Sequence, residues 1–431
     1  MQTPIFEKNF SLFVKRWPKL AHSLKKIDVG TIPFEIIEGK SQTITVRGKQ
    51  LSSRHNRQIE AVQICQTLAS SEPEIVQYGF GLGDVSLEFL KRKELKALHI
   101  FLINPDAFTL IMQLIDLSEI ISDSRVHFKD AAQESIVYTP FVFIPPELEI
   151  CSLSYGKIRD RLQIVLKRQK INKNFEQQRK IFDEIIFRNI KFLENDPDVS
   201  ELFQTEKNRT FCILASGPTL SLHKEHLQTL KQQRNPPVFI ALDTAFRTLK
   251  TFDIQPDIIV TFDKNVGTHI LSNEATEDIT LVYSPVAQHA VLAHWKGPRY
   301  AFYDNSIVYD SIRKKIKKTT LYSNGSVIHP ATDLAIQMGA KEILFFGADF
   351  SFPFGRTHAS WEDGTLGPSY LQSNHIVLNG HQKSVRTLFC FVIYLNYLEH
   401  LISENPKVSF INTSRNGALI KGTNFHPEFT V

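Results

Sequence analysis

Between residues 211 and 346 the chain carries short apolar runs that do not alternate with polar residues, and each ends in small or acidic residues. Phe211–Leu214, Val238–Leu242, Ile258–Phe262 and Ile343–Phe346 are such runs. A strand with one wet face alternates, whereas an unbroken apolar run is covered on both faces, and this predicts parallel strands with helices between them. The intervening Ser221–Gln232 and Thr244–Phe252 have helical spacing. The expected fold class is α/β. Open sheets of this kind bind ligands outside the carboxyl ends of their strands, so the residues just past each run are the candidate site.

Three segments stand out there. Ser216, Gly217, Pro218 and Thr219 follow the first run, where backbone N–H groups at a helix start favour a phosphate. Asp243 and Asp263 follow the next two, at positions suited to ribose or sugar hydroxyls. Ser323, Asn324, Gly325 and Ser326 form a small polar turn before a helix over Val327–Met338, and Asp349 closes the last run. Together these read as a nucleotide-type site. Asp243 and Asp263 read as single carboxylates, without the close pair that grips Mg²⁺ or Mn²⁺ against a diphosphate, so no metal is expected. Asp243 also suits a plain helix cap. The stretch 350–383 reads as a loop with His358, His375, His381, Trp361 and Tyr370, long enough for a lid. A helix over Val385–Ile402 and a strand over Val408–Asn412 follow.

Towards the N-terminus a single helix is expected over 4–27, then a hairpin of Phe34–Ile37 and Thr43–Val46. Ile75–Tyr78 feeds Gly79-Phe-Gly81-Leu-Gly83 and a helix from Asp84, and Leu98–Ile103 is followed by Asp106. This is the shape of a dinucleotide or S-adenosylmethionine loop with a ribose-binding carboxylate. We take it as a Rossmann-like scaffold, with a working cofactor site as the alternative. From Tyr155 to Asn195 polar helical spacing predicts a connector. The expected organisation is therefore 1–150, a connector at 151–208, and 209–431.

A chain of 431 residues with 42% hydrophobic and 22% charged residues is long enough for two or three cores. The net charge of +5 spreads 50 basic among 45 acidic residues, which gives no case for nucleic acid. Arg313-Lys-Lys-Ile-Lys-Lys318 reads as a solvated helix end. Cys65, Cys151, Cys212 and Cys390 are too scattered for zinc or a disulfide framework. No apolar run reaches membrane-spanning length and lysines interrupt the first twenty residues, so a cytoplasmic protein without a membrane span is expected.

Ala215-Ser-Gly-Pro-Thr-Leu220, Ile254-Gln-Pro-Asp-Ile-Ile-Val-Thr-Phe-Asp263 and Asn324 through Asp349 resemble the central domain of the bacterial motility accessory factors, the flagellin glycosyltransferases. That domain is similar to bacterial sialyltransferases and to archaeal 6-hydroxymethylpterin pyrophosphokinases. The family's Gly-x-Gly-Pro-Ser-Leu stands here with Ala215 and Thr219 as departures. The resemblance implies two Rossmann-like domains, the first methyltransferase-like and the second sialyltransferase-like (GT-A-like). It implies inverting transfer of a nonulosonic sugar from a CMP donor to Ser or Thr of flagellin or another secreted protein, in support of flagellum assembly and motility. The CMP sugar is substrate and no cofactor is expected. By position, His381 is nearest the sialyltransferase base and His358 matches a signature of the motility accessory factors as a donor to the leaving phosphate; His375 is a further candidate. Two other readings stay open: a metal-dependent pterin pyrophosphokinase, and a protein that binds nucleotide sugar or flagellin without turnover.

Overall fold

The computed structural model describes residues 3–134, 136–177, 179–271, 275–361, 365, 369–373 and 375–431. It forms two compact units, 1–166 and 167–431, divided within the helix Gly156–Gln177.

Unit 1 opens with two helices, Pro4–Arg16 and Pro18–Leu24, where one was expected. Pro18 has no N–H to continue the first helix and drives Trp17 out of the helical region, to φ −130° and ψ 63°. The hairpin strands β1 (Phe34–Ile37) and β2 (Thr43–Val46) pair antiparallel as predicted, with β3 (Lys49–Gln50) added. Then β4 (Glu74–Tyr78), β5 (Ala97–Leu102), β6 (Val126–Asp130) and β7 (Phe141–Phe143) form a parallel sheet in the order β6-β5-β4-β7. Phe13, Phe80, Phe108 and Phe128 interlock beneath it with ring centroids 4.9 to 5.8 Å apart. Such tilted and edge-on contacts suit the aromatic quadrupole.

Unit 2 is built on a second parallel sheet. Its strands are β8 (Thr210–Leu214), β9 (Val238–Leu242), β10 (Ile258–Thr261), β11 (Thr280–Tyr283), β12 (Arg299–Ala301) and β13 (Glu342–Phe346). After a separate hairpin of β14 (His375–Leu378) and β15 (Ser384–Thr387), β16 (Ser409–Asn412) and β17 (Asn424–Phe425) complete it, in the order β12-β11-β10-β9-β8-β13-β16-β17. Every residue of β9 is buried, as its unbroken apolar run demands. The chain lays strands outward from β8 in one direction to β12 and then returns to β8's other side. The strand order therefore reverses between β8 and β13, which is where open sheets leave a crevice.

The helix Arg179–Asn195, within the expected connector, packs in unit 2: buried Asn189 donates to the carbonyls of Pro285 and Ala287 at 2.9 and 2.8 Å. Beside it the Asp196 carboxylate receives Arg299 Nε and Nη2 at 2.8 and 3.0 Å, a forked pairing that fixes the edge strand β12.

Three further expectations need correction. The stretch 350–383 is not simply loop: β14 and β15 form a hairpin, and Asn379-Gly380 at its turn is the local signal that marks it. The helix expected from Val385 therefore starts at Phe389 and ends at Glu404. The segment after β8 begins with a tight 3-10 turn, Pro218–Leu222, before the helix Lys224–Lys231. Residues 362–364, 366–368 and 374 of the expected lid lie outside the described residues. Among the described residues no helix is long and apolar enough to cross a membrane, and all four cysteines are unpaired.

Candidate active site

The ends of β8, β9, β10 and β13 and the start of the helix Ile328–Met338 surround a cleft of ≈ 230 Å³ at the carboxyl edge of the unit-2 sheet. It lies on the strand-order reversal. Ser216, Gly217, Asp243, Asp263, Gly325, Ser326, Asp349 and His358 line it, all of them expected. Pro218, Thr219, Ser323, Asn324, His375 and His381 do not.

The turn after β8 departs from its expected role. Gly217 N–H donates to the Gly347 carbonyl at 2.9 Å, and Thr219 donates its N–H and its hydroxyl to the two Asp349 oxygens at 2.8 and 2.6 Å. Pro218 has no N–H. The Gly217 and Thr219 donors are thus spent on the segment just past β13, and only Ser216, whose hydroxyl pairs with that of Thr244 at 2.8 Å, remains of this turn at the cleft. Asp349 is instead a buried anchor: a Cβ on Gly217 would lie 2.5 Å from its Oδ2, and one on Gly417 2.6 Å from its Oδ1. Glycine lets three backbone segments close on one carboxyl. Burial pushes that carboxyl up to about 6 against the pull of the Thr219 bonds.

The second turn keeps its expected role in part. Gly325 adopts φ +87°, and at the start of the helix that follows His329 N–H is taken by the Ser326 carbonyl at 3.1 Å and Pro330 has none, whereas the N–H groups of the cleft-lining Ser326, Val327 and Ile328 have no hydrogen-bond acceptor among the described residues. Behind it, buried His329 is held in one tautomer. Its Nδ1 accepts from Asn324 N–H at 3.2 Å, and its Nε2 donates to the Tyr394 carbonyl at 2.9 Å. Burial lowers its pKa to about 4, so it stays neutral and positions the turn.

Across the cleft, Asp243 is 2% exposed; its Oδ2 accepts from the Thr261 hydroxyl at 2.9 Å and its Oδ1 from Thr244 N–H at 2.8 Å. Burial raises its pKa to about 7, Thr261 and Thr244 pull it down, and the nearby Asp263 adds to the rise. The two aspartates are therefore not isolated, as the sequence suggests, but face one cleft. A carboxyl raised from 3.8 to about 7 stabilises the fold fully below pH 3.8, and that contribution is lost as pH rises through 7. Asp243→Asn keeps the neutral shape. Its melting temperature relative to wild type is expected to climb between pH 4 and 8, by up to ~1.4 kcal/mol of stability per pH unit; a flat difference would show that Asp243 is ionised throughout.

The Thr357 hydroxyl is buried at the cleft and has no hydrogen-bond partner among the described residues, which leaves a donor for a ligand. Next to it, His358 is the cleft's imidazole, and its ring lies 6.4 Å from that of Trp361. His381 instead sits exposed in the β14–β15 turn, where Asn379 Oδ1 accepts its N–H, and His375 packs on Phe389 with centroids 5.4 Å apart. Sequence reading missed Phe391 and Tyr394, which reach the cleft from the helix Phe389–Glu404, and Phe262. A helical face far along the chain carries no local sign of the cleft it meets.

Residues 184–355 match the family model described as 6-hydroxymethylpterin diphosphokinase MptE-like. The matched stretch is similar to that family over less than half of the chain. The resemblance read from its strand-end motifs is borne out there. The MptE-like stretch contains β8 to β13 and most of the cleft wall, but ends before Thr357, His358, Phe391 and Tyr394. No curated protein shows significant sequence similarity to the chain. Among solved structures it is similar to a Maf glycosyltransferase from Magnetospirillum magneticum AMB-1, over 98% of this chain and 74% of that one, at 14% identity and a TM-score of 0.44.

Proposed function

We propose that the unit-2 cleft is the active site of a glycosyltransferase that moves a nonulosonic sugar from its CMP donor to Ser or Thr of flagellin or another secreted protein, in the cytoplasm. The observation that carries this reading is the division of labour in the cleft. One wall, Gly325 to Ile328 with Thr357, offers donors suited to a phosphate; the other, Asp243 and Asp263, offers acceptors suited to sugar and ribose hydroxyls; an imidazole, His358, stands with them. In the proposed inverting step the acceptor oxygen attacks the anomeric carbon from the face opposite the phosphate. Its proton passes to His358, and the bond from carbon to phosphate oxygen breaks with its electron pair leaving on CMP. The helix start stabilises that developing charge. His381, exposed in its turn, has no part in this scheme.

The test is a melting titration of the full chain with CMP, ATP and S-adenosylmethionine, since a ligand stabilises only the state it binds, followed by CMP release from a CMP-nonulosonate with and without acceptor, with and without EDTA. CMP is expected to raise the melting temperature and EDTA to change nothing. Because Asp243 and Asp263 share the cleft, a second reading is a metal-dependent pterin diphosphokinase. Stabilisation by ATP only when Mg²⁺ is present would favour it. Binding of CMP sugar without CMP release would leave a non-catalytic binding protein.

A further inference from the structure

Unit 1 carries a glycine turn at the carboxyl end of β4, next to β7, where its own strand order reverses. Gly79, Gly81 and Gly83 have φ of +84°, +62° and +94°, a backbone that curls successive N–H groups toward one point and that other residues rarely adopt. Such a nest binds an anionic group. Here that point is occupied from within. Glu147, on the short helix Pro145–Glu149, is 3% exposed, and its Oε1 accepts the N–H of Phe80 at 2.7 Å and of Gly81 at 2.6 Å. Its Oε2 accepts from buried Asn104 Nδ2 at 3.1 Å, and the Asn104 amide also holds the Glu147 carbonyl at 2.8 Å. A Cβ on Gly79 would lie 3.0 Å from the Glu147 carboxyl carbon, so the glycine there admits this side chain rather than an outside ligand. The cavity beside Phe80, Gly81 and Ile144 is only ≈ 20 Å³. Asp106, the expected ribose carboxylate, is paired with Arg47 and caps Ala107.

We infer that Glu147 is a built-in ligand: its carboxylate takes the place of a cofactor's anionic group, so that unit 1 holds a carboxylate-binding nest filled by its own chain and folds without a cofactor. The side chain lost in Glu147→Ala is a CH₂ and a carboxylate, which is the size and charge of acetate. The variant should therefore expose an acetate site.

The experiment compares wild type, Glu147→Ala and Glu147→Gln as full-length proteins by thermal melting, in sodium acetate and in sodium chloride of equal ionic strength. Glu147→Ala is expected to melt roughly 5 °C or more below wild type, because two N–H groups lose their acceptor. Acetate on the order of 0.1 M should restore part of that loss, while chloride should not. Wild type and Glu147→Gln, whose nests stay filled, should show no difference between the two salts. If Glu147→Ala does not fold, the same comparison is made on its refolding yield. Equal effects of acetate and chloride on Glu147→Ala, or a rise in the wild-type melting temperature with S-adenosylmethionine or NAD⁺, would overturn the inference.

Discussion

Gly217→Ala is expected to destabilise unit 2 by at least ~3 kcal/mol, a loss in the range reserved for steric conflict in a packed interior. The added Cβ would lie 2.3 Å from the Gly347 carbonyl oxygen and 2.5 Å from Asp349 Oδ2, and the first of these is backbone that cannot swing aside. Both segments end central strands, so relief requires parting β8 from β13, the pair that flanks the cleft. The sequence invites a different account, in which Gly217 leaves room for a phosphate and a larger residue blocks the ligand without harming the fold. Thermal melting and CMP titration on one preparation separate the two. A Gly217→Ala protein that melts like wild type and no longer responds to CMP would restore the phosphate account. Gly48→Ala is the control: a Cβ there meets nothing within 4 Å, so only the cost of its φ of +74° remains, about 1 kcal/mol.

His358→Ala is expected to lower CMP release in the presence of acceptor by ~10²–10⁴-fold, the usual contribution of a positioned general base. The effect belongs in kcat, because a proton moves in the transition state and not on binding. His358 lines the cleft, whereas His381 is exposed in the β14–β15 turn and is not among the lining residues, so His381→Ala should release CMP at the wild-type rate. Reversal of this pattern, with His381→Ala inactive and His358→Ala active, would return the base to His381 and require the hairpin to approach the cleft when substrate binds. Loss in both variants with unchanged melting would point to acceptor docking rather than proton transfer.

The signals legible in the chain are those that depend on neighbours in sequence. Val238–Leu242 is apolar throughout because a strand buried on both faces has no position for a polar residue, and that alone places Asp243 at a strand end. The hairpin of Phe34–Ile37 with Thr43–Val46 and the glycine turn at 79–83 were readable for the same reason: alternation and φ > 0 are local demands. Which groups share a site is a different matter. Thr219 and Asp349, 130 residues apart, bond to each other and so withdraw from the ligand the donors their turn advertises. Glu147 fills a glycine nest 66 residues before it, and nothing in its own surroundings distinguishes it from a surface glutamate. Tyr394 and Phe391 reach the cleft from a helix whose apolar faces look alike until it is docked. Hydrogen-bond capacity is finite, and whether a donor serves the fold or a ligand depends on what the folded chain brings opposite it.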